Sequence, residues 1–336
     1  MKRIHRHAAG FSLMELMVAL VLGLFVTGAA IAIFSANRKT YGATESLGRT
    51  QEGVRTAFEL MGRDLRAAGS TPCGNSRGTV ANVLNDAGST WYSWNNDLAG
   101  SSASMTGMPA SGAGSYASGD VIEMHSGNVG GVAINTTSVT PGAFTLTTAD
   151  HDFRAGDLAM VCDFVRAGIF QIGSAIGTAI TYTTGSTPAP GNASLNLAGC
   201  DSESPCTGEP LSSLQTGAVL SHLSSTRWYV GNNGNGGTSL YQQTARESTP
   251  DTPDEIVPNV TAMQLSYLIN TNANFVSDRQ VTPDTQYRNA AAVTAADAWN
   301  RVLAVRITLT FQDRSDRGDT VVRQLVQTVN LRNHSA

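Results

Sequence analysis

One carboxylate stands where a carboxylate is costly. From Phe11 to Phe34 the chain runs for 24 residues in which Glu15 is the single charged side chain. At 1.5 Å per residue such a helix reaches about 36 Å, enough to cross a bilayer. An ionisable group inside a membrane span costs at least ~2.5 kcal/mol at mid-depth and less near the edge, so Glu15 signals a function and a charged partner. Just before the run, Lys2, Arg3 and Arg6 stand with His5 and His7 and no acid. The positive-inside rule keeps that stretch cytoplasmic and delivers the rest of the chain across the membrane. An ordinary signal anchor is one competing reading. A secretory signal peptide cut after Ala30-Ile31-Ala32, a small-residue A-x-A site, is another, although the run is longer than a usual signal core and tolerates an acid poorly.

Other chemistry-bearing residues are sparser. Cys73, Cys162, Cys200 and Cys206 in an exported domain allow three disulfide connectivities. The preferred one pairs Cys200 with Cys206 around a short polar loop holding Pro205. Cys73 and Cys162 are then left to tie the helix end to the central sheet and stabilise it by ~2 to 4 kcal/mol. Metal binding by these cysteines lacks a C-x-x-C spacing or a nearby His. No G-x-S-x-G elbow, H-E-x-x-H or P-loop occurs, and His151-Asp152 is only a dipeptide. Gly234-Asn235-Gly236-Gly237 lacks the strand, helix and acid of a dinucleotide site and reads as a hairpin turn. Asp313, Asp316 and Asp319 could bind calcium, and Arg317-Gly318-Asp319 could serve as an integrin ligand, but the charged turn of a hairpin accounts for both.

The motif around Glu15 is specific. Gly10-Phe11-Ser12-Leu13-Met14-Glu15-Leu16 resembles the type IV prepilin signature: a glycine, a phenylalanine, and a glutamate five residues after the cut. The resemblance implies cleavage by prepilin peptidase between Gly10 and Phe11 and N-methylation of Phe11. It also implies pairing of Glu15 with the N-terminal ammonium of a neighbouring subunit in the fibre. Gly10 suits an extended peptidase site because it has no Cβ. An unpaired carboxylate carries a desolvation penalty of several kcal/mol, so the pair would act as a register device. Gly23, Gly28, Ala29, Ala30 and Ala32 would let helices approach closely, a feature that generic membrane-helix composition explains equally well.

The elements that must carry this site follow from periodicity. Leu47, Val54, Phe58, Met61 and Leu65 fall on one helical stripe, with Arg49, Glu52, Arg55, Glu59, Arg63 and Asp64 mostly off it. Gly69 and Pro72 stop the helix, which therefore runs from about Ser12 to Ala68, roughly 85 Å long. Gly42, Gly48, Gly53 and Gly62 mark possible bending points in it. Beyond Gly69 the chain reads as strands and turns without a second long helix, giving the α+β class. In Arg301 to Gln312, Leu303, Val305, Ile307, Leu309 and Phe311 alternate with Arg306, Thr308 and Thr310, and Val321 to Leu331 returns after a polar turn at Asp313 to Asp319. With Met263 to Ile269 these form a three-stranded meander against the helix. Shorter strand candidates are Asp120–Met124, Phe144–Thr148, Leu158–Val165, Ile169–Ile172, Thr178–Tyr182, Arg227–Val230 and Ser239–Gln242. Ser101 to Ser118, Thr183 to Asn196 and Gly231 to Gly237 read as loops.

Charged residues make up only 14%, against ~25% in ordinary soluble domains, and 34 glycines are present. The formal charge is -4 and falls to -7 without residues 1–10, so no basic footprint for nucleic acid is visible. Weaker pieces along the whole chain narrow the resemblance to PilW-like minor pilins. They are Met61-Gly62-Arg63-Asp64-Leu65-Arg66-Ala67-Ala68-Gly69 with Cys73 after it, Ala155 to Leu158, Gly168 to Gln171, Trp228 to Gly231 with Ser239 to Tyr241, Val260 to Tyr267 and Val302 to Ile307. Cys162 departs by standing just before Asp163 instead of just after it.

The resemblance implies a type IV pilin fold: a leader at 1–10, a membrane and fibre-core helix at 11–34, its amphipathic continuation at 35–68, and a periplasmic head at 69–336. It implies a minor pilin that primes assembly near the fibre tip and supports adhesion and twitching motility, not an enzyme, with no cofactor. Implied partners are prepilin peptidase, other minor pilins, the major pilin, the inner-membrane assembly platform, membrane lipid and a tip adhesin. The protein would sit in the inner membrane, N-terminus cytoplasmic, before assembly and in the surface pilus afterwards. A type II secretion pseudopilin, a DNA-uptake component and a secreted adhesin or hydrolase are the competing readings.

Overall fold

The computed structural model describes residues 11–73, 80–85, 94, 97–127, 131–163, 167–187, 189–197, 214–245, 250–273, 280–314 and 320–331. The chain divides into two units, residues 1–51 with 313–321 and residues 52–312 with 322–336.

Helix α1 is continuous from Leu13 to Ala67. In the first unit all its residues up to Gly42 are exposed, the large apolar ones included. Thr27, Thr40 and Thr44 donate their hydroxyls back to Gly23 O, Ala36 O and Thr40 O, so this stretch satisfies its own hydroxyl donors. In the second unit the expected stripe residues Val54, Met61 and Leu65 are fully covered and Phe58 nearly so, with Ala57 buried beside them, while the side chain of Leu47 lies outside the described ones. Arg49–Glu45 and Arg55–Glu59 are exposed i,i+4 pairs and contribute little. The glycines at 42, 48, 53 and 62 do not interrupt the helix. At its end Gly69 takes a left-handed conformation (φ +71°) and donates to His125 O at 2.9 Å. A side chain there would overlap Asp97 Oδ2, so glycine is required twice over.

The remaining elements are β1 (Val80–Asn82), β2 (Leu98–Ser101), β3 (Tyr116–Gly127), β4 (Val132–Ala133), β5 (Ala143–Thr145), β6 (Leu158–Cys162), β7 (Ala167–Gln171), β8 (Ser174–Ile176), β9 (Ala179–Thr181), β10 (Val219–Asn232), β11 (Thr238–Ala245), β12 (Asp254–Pro258), β13 (Val260–Ile269), the short helix α2 (Ala290–Ala295), β14 (Val302–Arg314) and β15 (Thr320–Asn330). The class is α+β, and apart from the parallel β1–β7 pair the strand pairs with a described register are antiparallel.

Strand β10 is the pivot. Its first residues, Val219–His222, pair with β6, while Leu223–Gly231 pair with β3 and Ser225–Asn232 with β11. A nine-stranded sheet thereby contains two halves that serve different cores. One core gathers the end of α1, Trp228, Val230, Leu240 and Val257 with the separate sheet β13-β14-β15, the meander read from the sequence. The other lies under β6 and β7 and includes Phe144, Phe170 and Tyr182, whose rings pack 4.6–5.7 Å apart. Ala159, Val161 and Phe170 face that core, whereas Leu158, Met160, Cys162 and Ile169 face a third cluster beside Cys73. Burial on both faces is why β6 and the Ala167–Phe170 part of β7 read as unbroken apolar runs.

Several boundaries differ from the sequence reading. The strand expected at Arg227–Val230 extends back to Val219, and that at Asp120–Met124 begins at Tyr116, inside a stretch read as loop. The apolar run from Leu158 leaves strand structure after Cys162, short of the expected Val165. Asp313 belongs to β14 instead of the turn. Asp64, read as lying off the buried stripe, has a largely covered side chain, 13% exposed.

Candidate functional site: the start of helix α1

The helix begins with a reciprocal pair of hydrogen bonds. Ser12 N–H and Ser12 Oγ–H both donate to Glu15 Oε2, at 3.1 and 3.2 Å, and Glu15 N–H donates to Ser12 Oγ at 3.2 Å. This is a capping box: the S-x-x-E spacing lets two side chains satisfy backbone donors that the first helical turn cannot. The sequence holds that signal in Ser12-Leu13-Met14-Glu15, but the prepilin signature accounts for Glu15 only as a partner for another chain. Phe11, 87% exposed, lies immediately before the box. Leu13–Gly42 is long and apolar enough to cross a membrane by length and composition. The negative carboxylate also sits at the end of the helix where the macrodipole favours it. Gly10, the other half of the predicted cleavage site, lies outside the described residues, as do Cys200 and Cys206 with their expected disulfide.

The opposite end of α1 is fixed by polar groups that pattern reading missed. Asp64 Oδ2 accepts from Trp228 Nε1–H at 2.9 Å and from Gln242 Nε2–H at 2.8 Å, joining the helix to β10 and β11. Burial raises the Asp64 carboxyl above its usual range, and the bonds from Trp228 and Gln242 and the Arg63 charge pull back only in part. Behind it, Arg227 is fully buried with Glu123: its Nε donates to Glu123 Oε2 at 2.8 Å, its Nη2 donates to the same oxygen, and Nη2 also donates to Thr106 O at 3.1 Å. Burial raises the Glu123 carboxyl, and the Arg227 charge opposes that shift. His125 Nε2 lies 3.3 Å from Glu123 Oε1, and complete burial lowers the His125 pKa to about 4, helped by the Arg227 charge and opposed by that of Asp97. Because His125 O accepts from Gly69 N–H, this cluster also braces the turn that follows α1.

Cys73 and Cys162 are joined in a disulfide with Cα atoms 5.9 Å apart. It links the segment after α1 to the end of β6, as expected. His151 and Asp152 have structural partners: His151 Nε2 contacts Gly177 O at 2.7 Å, and Asp152 Oδ1 contacts His222 Nε2 at 3.0 Å. The Gly234–Gly237 segment forms a hairpin tip in which Asn233 Oδ1 accepts from the Asn235 and Gly237 N–H groups. Among the described residues no group of three His, Cys, Asp or Glu side chains is placed to hold a metal ion. Asp316 and Asp319 lie outside them.

Two family models match. Residues 5–31 match the prokaryotic N-terminal methylation motif, a range that takes in Arg6, Gly10, Phe11 and the capping box. Residues 227–335 match type IV pilus-assembly protein W, a region that starts at the buried Arg227 and takes in β11 to β15. No curated protein and no solved structure matches the chain significantly.

Proposed function

From a chain that is type IV pilus-related and minor-pilin-like by these two matches, we propose a structural subunit that primes pilus assembly, sits near the fibre tip and supports adhesion and twitching motility. It has no catalytic role. The observation that carries the reading is the exposed apolar first half of α1 with one carboxylate at its start, joined through its second half to a β-rich head. An apolar helix of this length needs either lipid or other helices around it. Before assembly the helix spans the inner membrane with the N-terminus cytoplasmic. After assembly it packs among the helices of other minor pilins and the major pilin. Prepilin peptidase, the inner-membrane assembly platform and a tip adhesin are the remaining partners.

Processing and incorporation test this separately. Gly10→Ser should leave the leader attached, whereas Glu15→Ala should be cut yet fail to enter pili. Mass spectrometry of the membrane-bound protein should find methylated Phe11 at the terminus. A terminus near Ile33, or normal incorporation of both variants, would remove the basis of the proposal.

A further inference from the structure

We propose that Ser12 is a positioning residue for assembly: it holds the Glu15 carboxylate at the helix start so that one oxygen is satisfied within the chain while the other is offered to the incoming ammonium. The inference rests on the pilin reading above. Its physical basis is the convergence of two Ser12 donors, the backbone N–H and the hydroxyl, on a single oxygen, Oε2. A carboxylate accepts through two oxygens and about four lone-pair directions, so the box and an ion pair to Oε1 are compatible on the same side chain.

Two consequences follow for a protomer still in the membrane. An acid in an apolar run carries a desolvation cost that falls when donors are supplied at once. Ser12 supplies them before any neighbour arrives. The box also removes rotamer freedom: Glu15 would otherwise have to be ordered when the subunits meet, and that ordering entropy weakens association. The third contact, Glu15 N–H to Ser12 Oγ, makes the arrangement reciprocal, so the serine hydroxyl fixes both the backbone and the carboxylate of residue 15.

The test uses the full chain, expressed in a piliated strain lacking its own copy, with Ser12→Ala, Ser12→Thr and Glu15→Ala variants. Incorporation into sheared pili is scored as a fraction of leader-free protein, so any effect on cutting drops out. Ser12→Ala should lower incorporation roughly five- to tenfold, the size of effect that loss of an N-terminal cap carries, and Ser12→Thr should restore it to within about twofold because threonine forms the same box. Hydrogen exchange on the processed protein in detergent micelles supplies the readout that general destabilisation does not move. The Ser12 and Glu15 amides should exchange faster in Ser12→Ala and stay protected in Ser12→Thr, with amides beyond Thr27 unchanged. Full incorporation of Ser12→Ala alongside failure of Glu15→Ala overturns the role of Ser12 and leaves the pilin reading standing. Failure of threonine to restore incorporation also overturns it. Full incorporation of Glu15→Ala overturns the ammonium pairing and with it the role of Ser12.

Discussion

Replacing Asp64 with alanine strips the helix of its polar tie to the sheet. Trp228 is fully buried and its indole N–H donates to Asp64 Oδ2, so the variant leaves a buried donor without its acceptor. That costs about 1–3 kcal/mol, and the lost bond from Gln242, which is only partly covered, adds about 0.5–1.5 kcal/mol. Charge assistance should not be added on top. Burial raises the Asp64 carboxyl despite both bonds, which means that the gain from its charge is outweighed by desolvation. A net loss of about 2–3 kcal/mol follows, a fall of about 4–10 °C in Tm for a chain of this size. Asp64→Asn keeps an acceptor oxygen in place and should lose only about 1 kcal/mol. The pH dependence has a definite sign. A carboxyl raised in the folded state contributes stability that is fully present below its unfolded pKa and is lost as pH rises through the folded value. The margin of the native protein over Asp64→Asn should therefore shrink from acid toward neutral pH. Thermal unfolding of the processed protein in detergent, followed by tryptophan fluorescence, measures both. An alanine variant within ~0.5 kcal/mol of the native protein, or an asparagine variant equally damaged, would show that the tie carries no weight.

Two further outcomes follow from the head. Replacing Cys73 and Cys162 together by serine opens a crosslink with a sequence separation of 89, and loop-closure entropy sets the upper loss at about 4–5 kcal/mol; denaturant titrations of the double variant and the native protein that superimpose would refute this. His125 has a pKa of about 4 when folded, against 6.5 unfolded, so between those values the unfolded chain binds a proton that the folded one refuses. Stability should fall by about 1.4 kcal/mol per pH unit as pH drops through that window. Compared with His125→Gln the slope difference isolates this effect, since the oppositely signed contribution of the raised Glu123 carboxyl is present in both; parallel pH profiles would refute it.

What the sequence made legible was whatever one face of one element determines. The α1 stripe of Val54, Phe58, Met61 and Leu65 announces itself because a single side is covered, and β14 does so because Val305, Ile307 and Leu309 face the core while Arg306 and Thr308 do not. The first half of β10 gives no such signal: Ser221 and Ser225 are buried at 1% exposure and His222 at 8%, so polar residues occupy positions that periodicity assigns to solvent. Their strand character comes from β6, β3 and β11 on either side, which is tertiary context that local propensity cannot contain. Polar contacts at long separation are hidden for the same reason. Arg227 meets Glu123 across 104 residues and Trp228 meets Asp64 across 164, and nothing in the local spelling of either partner announces the other. Asp64 shows the error in its plainest form, because an acid one position before the buried Leu65 looks like the edge of a solvated face until the indole that requires it is located. At the helix start the difficulty was different. Both partners are three residues apart and the S-x-x-E spacing is explicit, but one strong explanation for Glu15, its intermolecular ammonium, obscures the nearer one. Both Ser12 donors converge on Oε2, and the proposed ammonium would take Oε1, so proposing the one partner gives no ground for dismissing the other.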